Sequence, residues 1–477
     1  MIDVLLVNPG EKGAFFEAMP PLGLAYIAAN LEKHGYSVKI LDFEVEEKGL
    51  SYWLSKWQPN YVGISGTSHT RFESFRLASE IKKFNREIVV IYGGVHATFT
   101  AFDTLTHIKD MDYVVRGEGE QILVELIDAL NNKKNLDGVR GISYRTDEGI
   151  KENPAAPRVE PLDSLPRPAY HLLDMKRYSL DMEFVHKKGI SLITSRGCLA
   201  KCSFCSASRM FNHQLTVHSA GRILDEIDFL FDNYSFKGVK IFDSTLTMRR
   251  NHIEELCDEI LRRKRSFPWE CEIRVGTVDR AILEKMKEAG CYYVNFGVES
   301  GSQRVLNLMR KGFTVEQAEE LLNLCFDVGL KTKVFFSFGH IGENMEDVRE
   351  TFRFIDKYSD KITTVASGAG VRIYPGTYLE EYARKNGLLP EDFSWSMPFT
   401  EKRARRILQS ESIPLLLQPQ LGFPELEDIA LEIYRRRFKG WKGLGRGLRK
   451  ILDRKKWWKL FQLMKIKSER IFTGGSK

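Results

Sequence analysis

Residues 2–8 (IDVLLVN) form a short apolar run that stops at Pro9-Gly10, the pattern of a strand buried on both faces. The next segment, LGLAYIAANLEKHG, repeats its apolar positions at helical spacing and ends on Gly35. SVKILDF and YVGISG read as strands, FESFRLASEIKKFN as a helix, REIVVIYGG and DYVVRGEGE as further strands, and EQILVELIDAL as a closing helix. Alternation of this kind over about 130 residues predicts a doubly wound parallel sheet, which binds ligands at the carboxyl ends of its strands. Residues 131–188 lose the rhythm. NNKKN, NPAAP and LPRP predict a hairpin and a Pro-rich connector lying across a surface.

A second alternation starts at residue 189. Its strands are GISLITS, VKIFDS, WECEIRVGTV, YYVNFGVES, KTKVFFSFGHIG and VASGAGVRIYPGT, with amphipathic helices between them. Six β/α units are a partial version of the (β/α)8 barrel, whose sites lie at the carboxyl ends of the strands. Beyond about residue 380 the chain reads as mostly helical. The expected division is 1–135 for the first sheet, 136–188 for the linker and hairpin, 189–385 for the partial barrel, and 386–477 for a helical, basic C-terminal region.

The chain has 477 residues, 43% hydrophobic and 28% charged, which excludes a mainly disordered or fibrous protein. No apolar run approaches the ~20 residues that span a bilayer, and the start lacks the basic region of a signal peptide, so a cytoplasmic location is expected. The net charge of +7 is unevenly placed. Residues 401–477 hold 20 Lys+Arg against 8 Asp+Glu, leaving the first 400 residues at −5, so a globally basic nucleic-acid binder is not indicated.

Of seven cysteines, Cys198, Cys202 and Cys205 fall in ITSRGCLAKCSFCSAS, spaced C-x3-C-x2-C past the first barrel strand. Three thiolates on a short loop can hold three irons of a cubane cluster and leave the fourth open to a small molecule. A zinc site completed by His213 or His218 is the alternative, since structural zinc is closed by four ligands. The loop resembles the hallmark of the radical S-adenosylmethionine (SAM) superfamily over about residues 189–385. That resemblance implies a [4Fe-4S] cluster on Cys198, Cys202 and Cys205, with SAM chelating the fourth iron. It also implies Phe204 beside the adenine, Asp243 (KIFDSTLT) at the SAM amino group, Arg274 (CEIRVG) at the carboxylate, and Glu299 and Ser300 (NFGVESGSQ) near the ribose. FGHIGE and RIYPGTYLEEYARKNG resemble the endings of the fifth and sixth strands.

The first sheet carries no G-x-G-x-x-G after its first strand and no P-loop, which disfavours a dinucleotide or nucleoside triphosphate site. Its strand ends are rich in small residues: Gly63, Ser65, Gly66 and Thr67; Gly93 and Gly94; Gly117 and Gly119. These pieces are similar to the cobalamin-binding domain that precedes the radical SAM core in one large subgroup. The D-x-H-x-x-G motif is missing, so the chain resembles members that hold cobalamin with no histidine below the cobalt; His69 and His96 are read as ordinary loop residues. The resemblance implies a methyltransferase that acts on an unactivated carbon of a small-molecule or lipid-like substrate, through a 5′-deoxyadenosyl radical and methylcobalamin. The alternatives are an oxidative cyclase or ring-rearranging enzyme on porphyrin- or hopanoid-type substrates, and a non-catalytic iron–sulfur/cobalamin sensor. An external electron donor of flavodoxin or ferredoxin type is expected as partner. GWKGLGRGLRKILDRKKWWKLFQLMKIKSERIF, basic and rich in Trp, reads either as a membrane-surface helix or as one packed on the barrel, with no nucleic acid expected.

Overall fold

A computed structural model describes residues 1–10, 18–398 and 413–438. The first sheet contains β1 (Ile2–Asn8), β2 (Val38–Asp42), β3 (Pro59–Ser65), β4 (Val89–Gly93) and β5 (Tyr113–Val115), all parallel. The hairpin β6 (Ile142–Thr146) and β7 (Gly149–Glu152) joins antiparallel to β5 and gives the order β2-β1-β3-β4-β5-β6-β7. The order reverses between β1 and β3, so the crevice outside the carboxyl ends lies there. Helices α1 (Leu22–Lys33), α2 (Leu50–Trp57), α3 (Arg71–Phe84), α4 (Val95–His107) and α5 (Gly119–Asn131) cover both faces. One core packs α1 and α5 against Val4, Leu6, Ile91 and Val115; the other packs α2, α3 and α4 against Leu5, Val7, Val62 and Val90. This is the double winding that the alternation predicts.

Two of these helices escape the sequence pattern. LSYWLSKW (α2) is dominated by aromatic residues that favour strands, and VHATFTAFDTLTH (α4) is rich in Thr and Phe and bends at Thr100, where φ is −127°. Burial of Leu50 and Leu54, and of Ala97, Ala101 and Leu105, against the sheet overrides local propensity.

The second sheet runs from β8 (Leu180–Met182), an antiparallel edge, through β9 (Lys187–Leu192). A small ribbon, β10 (Ser195–Gly197) and β11 (Leu215–Val217), follows β9 and encloses the cysteine loop and a short helix, α6 (Ala207–Met210). Then come α7 (Ala220–Asn233), β12 (Gly238–Ile241), α8 (Arg250–Arg262), β13 (Trp269–Glu272), α9 (Arg280–Glu288) and β14 (Cys291–Glu299). They are followed by α10 (Gln303–Leu308), α11 (Val315–Val328), β15 (Lys331–Phe338), α12 (Met345–Lys357) and β16 (Thr364–Ala369). The six main strands are parallel in the order β16-β15-β14-β13-β12-β9, an open half-barrel. Val239, Ile241, Trp269, Cys271, Val294, Phe296, Val334 and Phe336 point outward into a single core beneath the helices. Strand geometry therefore turns the alternate residues inward. Beyond β16, α13 (Tyr378–Lys385) and α14 (Phe423–Phe438) frame a stretch of irregular chain, so the described C-terminal part is less helical than its sequence reads. No described helix is long and apolar enough to cross a membrane.

The Pro-rich connector lies across the surface, with most of residues 154–168 exposed, and is pinned at a few points. Leu162 and Leu165 are buried with Tyr26 of α1, and the Arg158 guanidinium reaches between the sheets. On the far side, Ser394 and Ser396 donate to Asp103 of α4 (2.7 and 2.6 Å), and Arg71 of α3 donates to the Trp395 carbonyl (2.7 Å). The first sheet is gripped from both flanks.

The turn after β15 is held by one buried acid. Glu343 accepts from the Gly339 and His340 amides (2.5 and 2.9 Å), and its other oxygen has no partner among the described residues. Burial pushes its pKa up to about 7, opposed by those two amides. A carboxyl raised above its unfolded value holds its proton more tightly when folded, so stability falls as pH rises from about 4.5 to about 7. Glu343→Gln is predicted to remove that part of the slope, on the order of 3 kcal/mol at pH 8. Urea unfolding of both proteins at pH 5 and pH 8 checks it; parallel slopes would refute the buried-acid account.

Candidate functional site

The carboxyl ends of the two sheets face each other across an apolar cavity of about 290 Å³. Leu6, Gly63, Ile91, Gly93 and Val115 line it from the first sheet, with Gly23 and Ile27 of α1, Gly117 before α5 and Gly119 at its start. Ile193, Ser195–Gly197, Met210, Phe211, Phe242 and Ser244 line it from the second. A side chain at Gly117, where φ is +87°, would meet nothing within 4 Å, and one at Gly93 would meet only the Val115 carbonyl at 3.9 Å. These glycines therefore leave open a cradle that any side chain would fill, which suits a large flat ligand lying on the strand ends. Gly94 and Ser65 line the same wall. Thr67 does not: it is exposed, and its hydroxyl pairs with Thr70.

All ten histidines of the chain are described, and none lines this cavity. His96 is buried on the opposite face, its Nδ1 3.0 Å from the Ser68 hydroxyl and its ring edge-on to Trp395; burial holds its pKa down at about 3. His69 pairs with the Tyr374 hydroxyl across the domains at 3.1 Å.

The cysteine loop is fixed at both ends. Gly197 has φ +103°, and a side chain there would come within 2.0 Å of the Gln214 carbonyl, so only glycine lets the β10–β11 ribbon close. The Ser203 amide donates to the Met309 carbonyl, and the Ser203 carbonyl accepts from the Leu379 amide, both at 2.9 Å. Cys198 is buried, Cys202 and Cys205 are half-buried, and all three are free thiols. Burial pushes the Cys205 thiol up. The Arg274 guanidinium lies 3.6 Å from Cys202 Sγ and stacks toward Phe313. Among the described residues, no three Cys, His, Asp or Glu side chains gather tightly enough for a single metal ion. His218, one candidate for the zinc alternative, is held between the Tyr26 hydroxyl (3.2 Å) and Asp163 (2.8 Å). Three thiols on one loop without such convergence suit a wider, cubane-sized group better than a single ion.

Around the loop the structure gathers most of the sequence candidates. The Phe204 ring lies edge-on to His340 at 5.3 Å with Lys311 Nζ 5.8 Å from its centre. Glu299 takes φ +69° at a bulge ending β14 and folds back over Gly297, where a side chain would strike its carboxylate. That carboxylate meets Lys311 at 3.4 Å and accepts from the Ser337 hydroxyl at 2.8 Å; Ser337 in turn pairs with His340 Nε2 at 2.7 Å. Burial, with Lys311 nearby, holds His340 neutral with a pKa of about 3. Asp243 is fully engaged within the protein. Its oxygens accept from the Thr194 amide and hydroxyl (2.7 and 2.5 Å) and from the Ser195 amide and hydroxyl (3.1 and 2.7 Å). Burial raises its pKa against those four bonds. Ser300 sits apart, bonded to Thr351 of α12 and to the Ser302 amide.

Sequence reasoning missed the charges that join the halves. Arg196, in the SRGC segment, pairs with Glu118 at 3.0 Å and Glu120 at 2.6 Å, and Arg158 pairs with Glu118 at 2.6 Å. The motif RGEGEQ drew attention for its glycines, while its two carboxylates carry the contact. Lys311 and His340 were missed as well, although both stand in motifs at strand ends.

Comparison with known proteins agrees with this geometry. The family described as Radical SAM superfamily matches residues 192–355, and the B12 binding domain matches residues 14–127. An uncharacterized methyltransferase of Pyrococcus horikoshii is 31% identical over 88% of this chain and 94% of its own length. The anaerobic magnesium-protoporphyrin IX monomethyl ester cyclase of Rubrivivax gelatinosus is 28% identical over 73% of this chain and 65% of its own. The radical SAM methyltransferase TsrM of Kitasatospora setae, solved with cobalamin and a [4Fe-4S] cluster, superposes with a TM-score of 0.68 at 22% identity, covering 83% of this chain and 82% of that one. The chain belongs to the radical SAM superfamily, in the group whose core follows a B12-binding domain.

Proposed function

We propose that the chain is a cobalamin-dependent radical SAM methyltransferase acting on a small-molecule substrate. The observation that carries this reading is a cavity with glycine-lined strand ends on one wall and the segment leading into the cysteine loop on the other. Bound there, the cluster, SAM and cobalamin together would supply one-electron reduction, hydrogen abstraction and methyl transfer. The remaining work falls to the protein. Cys198, Cys202 and Cys205 would hold the cluster. Arg274 would bring a positive charge beside it for the SAM carboxylate, and Glu299 and Phe204 would face the nucleoside. Asp243 would keep residues 194–195, and through them the loop, in place. Gly63, Ser65, Gly93, Gly94 and Gly117 would leave the room for cobalamin, with no histidine beneath it. The apolar residues Met210, Phe211 and Phe242 would keep water from the gap.

The proposed division into residues 1–135, 136–188, 189–385 and 386–477 follows the change of sheet and connector. An external one-electron donor of flavodoxin or ferredoxin type would complete the cycle. Peripheral membrane contact rests on the basic tail alone, which lies outside the described residues. The cyclase among the relatives keeps ring formation as the second reading.

After anaerobic reconstitution with iron, sulfide, cobalamin and SAM, reduction is expected to yield 5′-deoxyadenosine, and Cys202→Ala to reduce it to background with loss of the cluster absorbance. With a cell extract supplying substrate, S-adenosylhomocysteine should accompany 5′-deoxyadenosine. Its absence, with 5′-deoxyadenosine still formed, would favour ring chemistry. A further prediction concerns the seam between the domains. Removing one member of a buried ion pair costs about 3–5 kcal/mol, because the other charge stays buried. Glu120→Gln is expected to lower the melting temperature and the cobalamin retained through gel filtration, and Glu120→Gln/Arg196→Gln to recover part of the stability. Unchanged retention in the single variant would show that the seam does not shape the cavity.

A further inference from the structure

The cysteine loop carries exposed residues between its thiols. Leu199, 48% exposed, follows Cys198, and Lys201, also exposed, precedes Cys202. Consecutive Cα atoms are about 3.8 Å apart, so both stand immediately beside a proposed cluster ligand. Two hydrogen bonds lock neighbouring chain against this loop. The Ser203 amide donates to the Met309 carbonyl, and the Leu379 amide donates to the Ser203 carbonyl, both at 2.9 Å. The loop therefore lies against the end of α10 and the start of α13. Leu308, 36% exposed, and Arg310, exposed as well, flank Met309 there. The Arg310 guanidinium sits 3.7 Å from the centre of the Tyr378 ring, which ties α10 to α13 around the loop.

The acids near these residues are already matched. Arg209 of α6 pairs with Glu381 of α13 at 2.6 Å, and Arg304 of α10 pairs with Asp347 of α12. Lys201 and Arg310 pair with no carboxylate among the described residues. Residues 1–400 as a whole are net negative, so this is a local positive spot, with two exposed leucines beside it, on a body of the opposite sign. Apolar side chains with cations around them are the make-up of a transient protein interface: the apolar contact gives affinity and the charges steer the encounter. Redox partners meet over small interfaces, below about 1,200 Å², which a patch of this size can centre.

We propose that the face formed by Leu199, Lys201, Leu308 and Arg310 docks a small acidic one-electron carrier protein, which reduces the cluster there. The carrier loses one electron and the cluster gains it; no bond forms and no proton is transferred. Sign and position set the occupant. Residues 401–477 of this chain, with 20 Lys+Arg against 8 Asp+Glu, have the wrong sign for the face. A nucleic acid has the right sign, but two unpaired cations supply too few phosphate contacts to hold one. The inference rests on the radical SAM reading and names the surface through which that site takes its electron.

The test uses the full-length protein reconstituted with cluster and cobalamin. The probes are an acidic flavodoxin and an acidic [2Fe-2S] ferredoxin, with dithionite as a small reductant that needs no docking. Isothermal titration with the oxidised carriers measures binding, and amide hydrogen exchange on the wild type maps it. At least one carrier should bind, protect residues 199–209 and 303–311, and weaken as salt rises. Lys201→Glu/Arg310→Glu should weaken that carrier about 10-fold or more at low salt. Leu199→Ser should also weaken it, with the salt dependence retained. Both variants should keep the cluster absorbance and the 5′-deoxyadenosine yield obtained with dithionite, and lose yield only when the reduced carrier is the donor. The proposal is overturned if neither carrier binds, if binding protects other residues instead, or if the charge reversal leaves affinity unchanged. Failure of the wild type to form 5′-deoxyadenosine even with dithionite would instead count against the radical SAM reading, whatever the binding shows.

Discussion

Arg196 between Glu118 and Glu120 is the contact on which the site depends. All three side chains are at least 88% buried, and Arg158 adds a second guanidinium to Glu118. Burying such charges is costly unless geometry and hydrogen bonds are complete, and here one guanidinium spans two carboxylates on one loop. The chain positions matter as much as the energy. Glu118 and Glu120 lie where β5 ends and α5 begins, and Arg196 lies two residues before Cys198. The ion pairs therefore tie the carboxyl end of one sheet directly to the cysteine loop of the other. A cavity between two domains could open and shut with their relative motion. This one is fastened at its rim and gripped on the far flank by Ser394 and Ser396 on Asp103, contacts that resist such motion.

The second sheet separates its tasks by face and by height. Outward residues are apolar and form one core with the helices. Inward positions carry polar residues such as Lys240, Glu270 and Lys333 together with Phe242, and they divide into tiers along the strands. The upper tier holds Arg274 and Glu299 near the thiols; the tier below holds Glu272, Asn295 and Lys333. With side chains alternating at each residue, two steps along a strand raise a group by about 6.6 Å, roughly the thickness of a small substrate layer.

What the sequence made legible was local. The apolar runs, the break at Gly35, the C-x3-C-x2-C spacing and the glycines at strand ends each lie within a few residues, and each reappears as an element or a wall of the cavity. The misses have two physical causes. In α2 and α4, tertiary burial overrides an aromatic or Thr-rich composition that favours strands. At the seam, Arg196 meets acids 76 and 78 residues away, a pairing that no local pattern encodes. Nor does a local pattern show that the hydroxyls of Thr67 and Ser300 pair with Thr70 and Thr351. Pro-rich composition reports the connector's stiffness, not that Leu162 and Leu165 pin it to Tyr26.

Two buried polar side chains show how the same limit bears on function. Asp243 and Asn295 both stand on the second sheet's carboxyl half, both nearly inaccessible. By sequence motif Asp243 is the functional one and Asn295 is unremarked. Their surroundings differ. A carboxylate can accept about four hydrogen bonds, and Asp243 already accepts four from Thr194 and Ser195. Its capacity is spent on holding the chain that leads into the cysteine loop. Asn295 stands in register with Glu272 on one side and Lys333 on the other, buried between two opposite charges. A saturated buried group stabilises the fold and is poorly placed to gain from a ligand. Motif position singles the residue out, and its hydrogen bonds show which stretch of chain it holds.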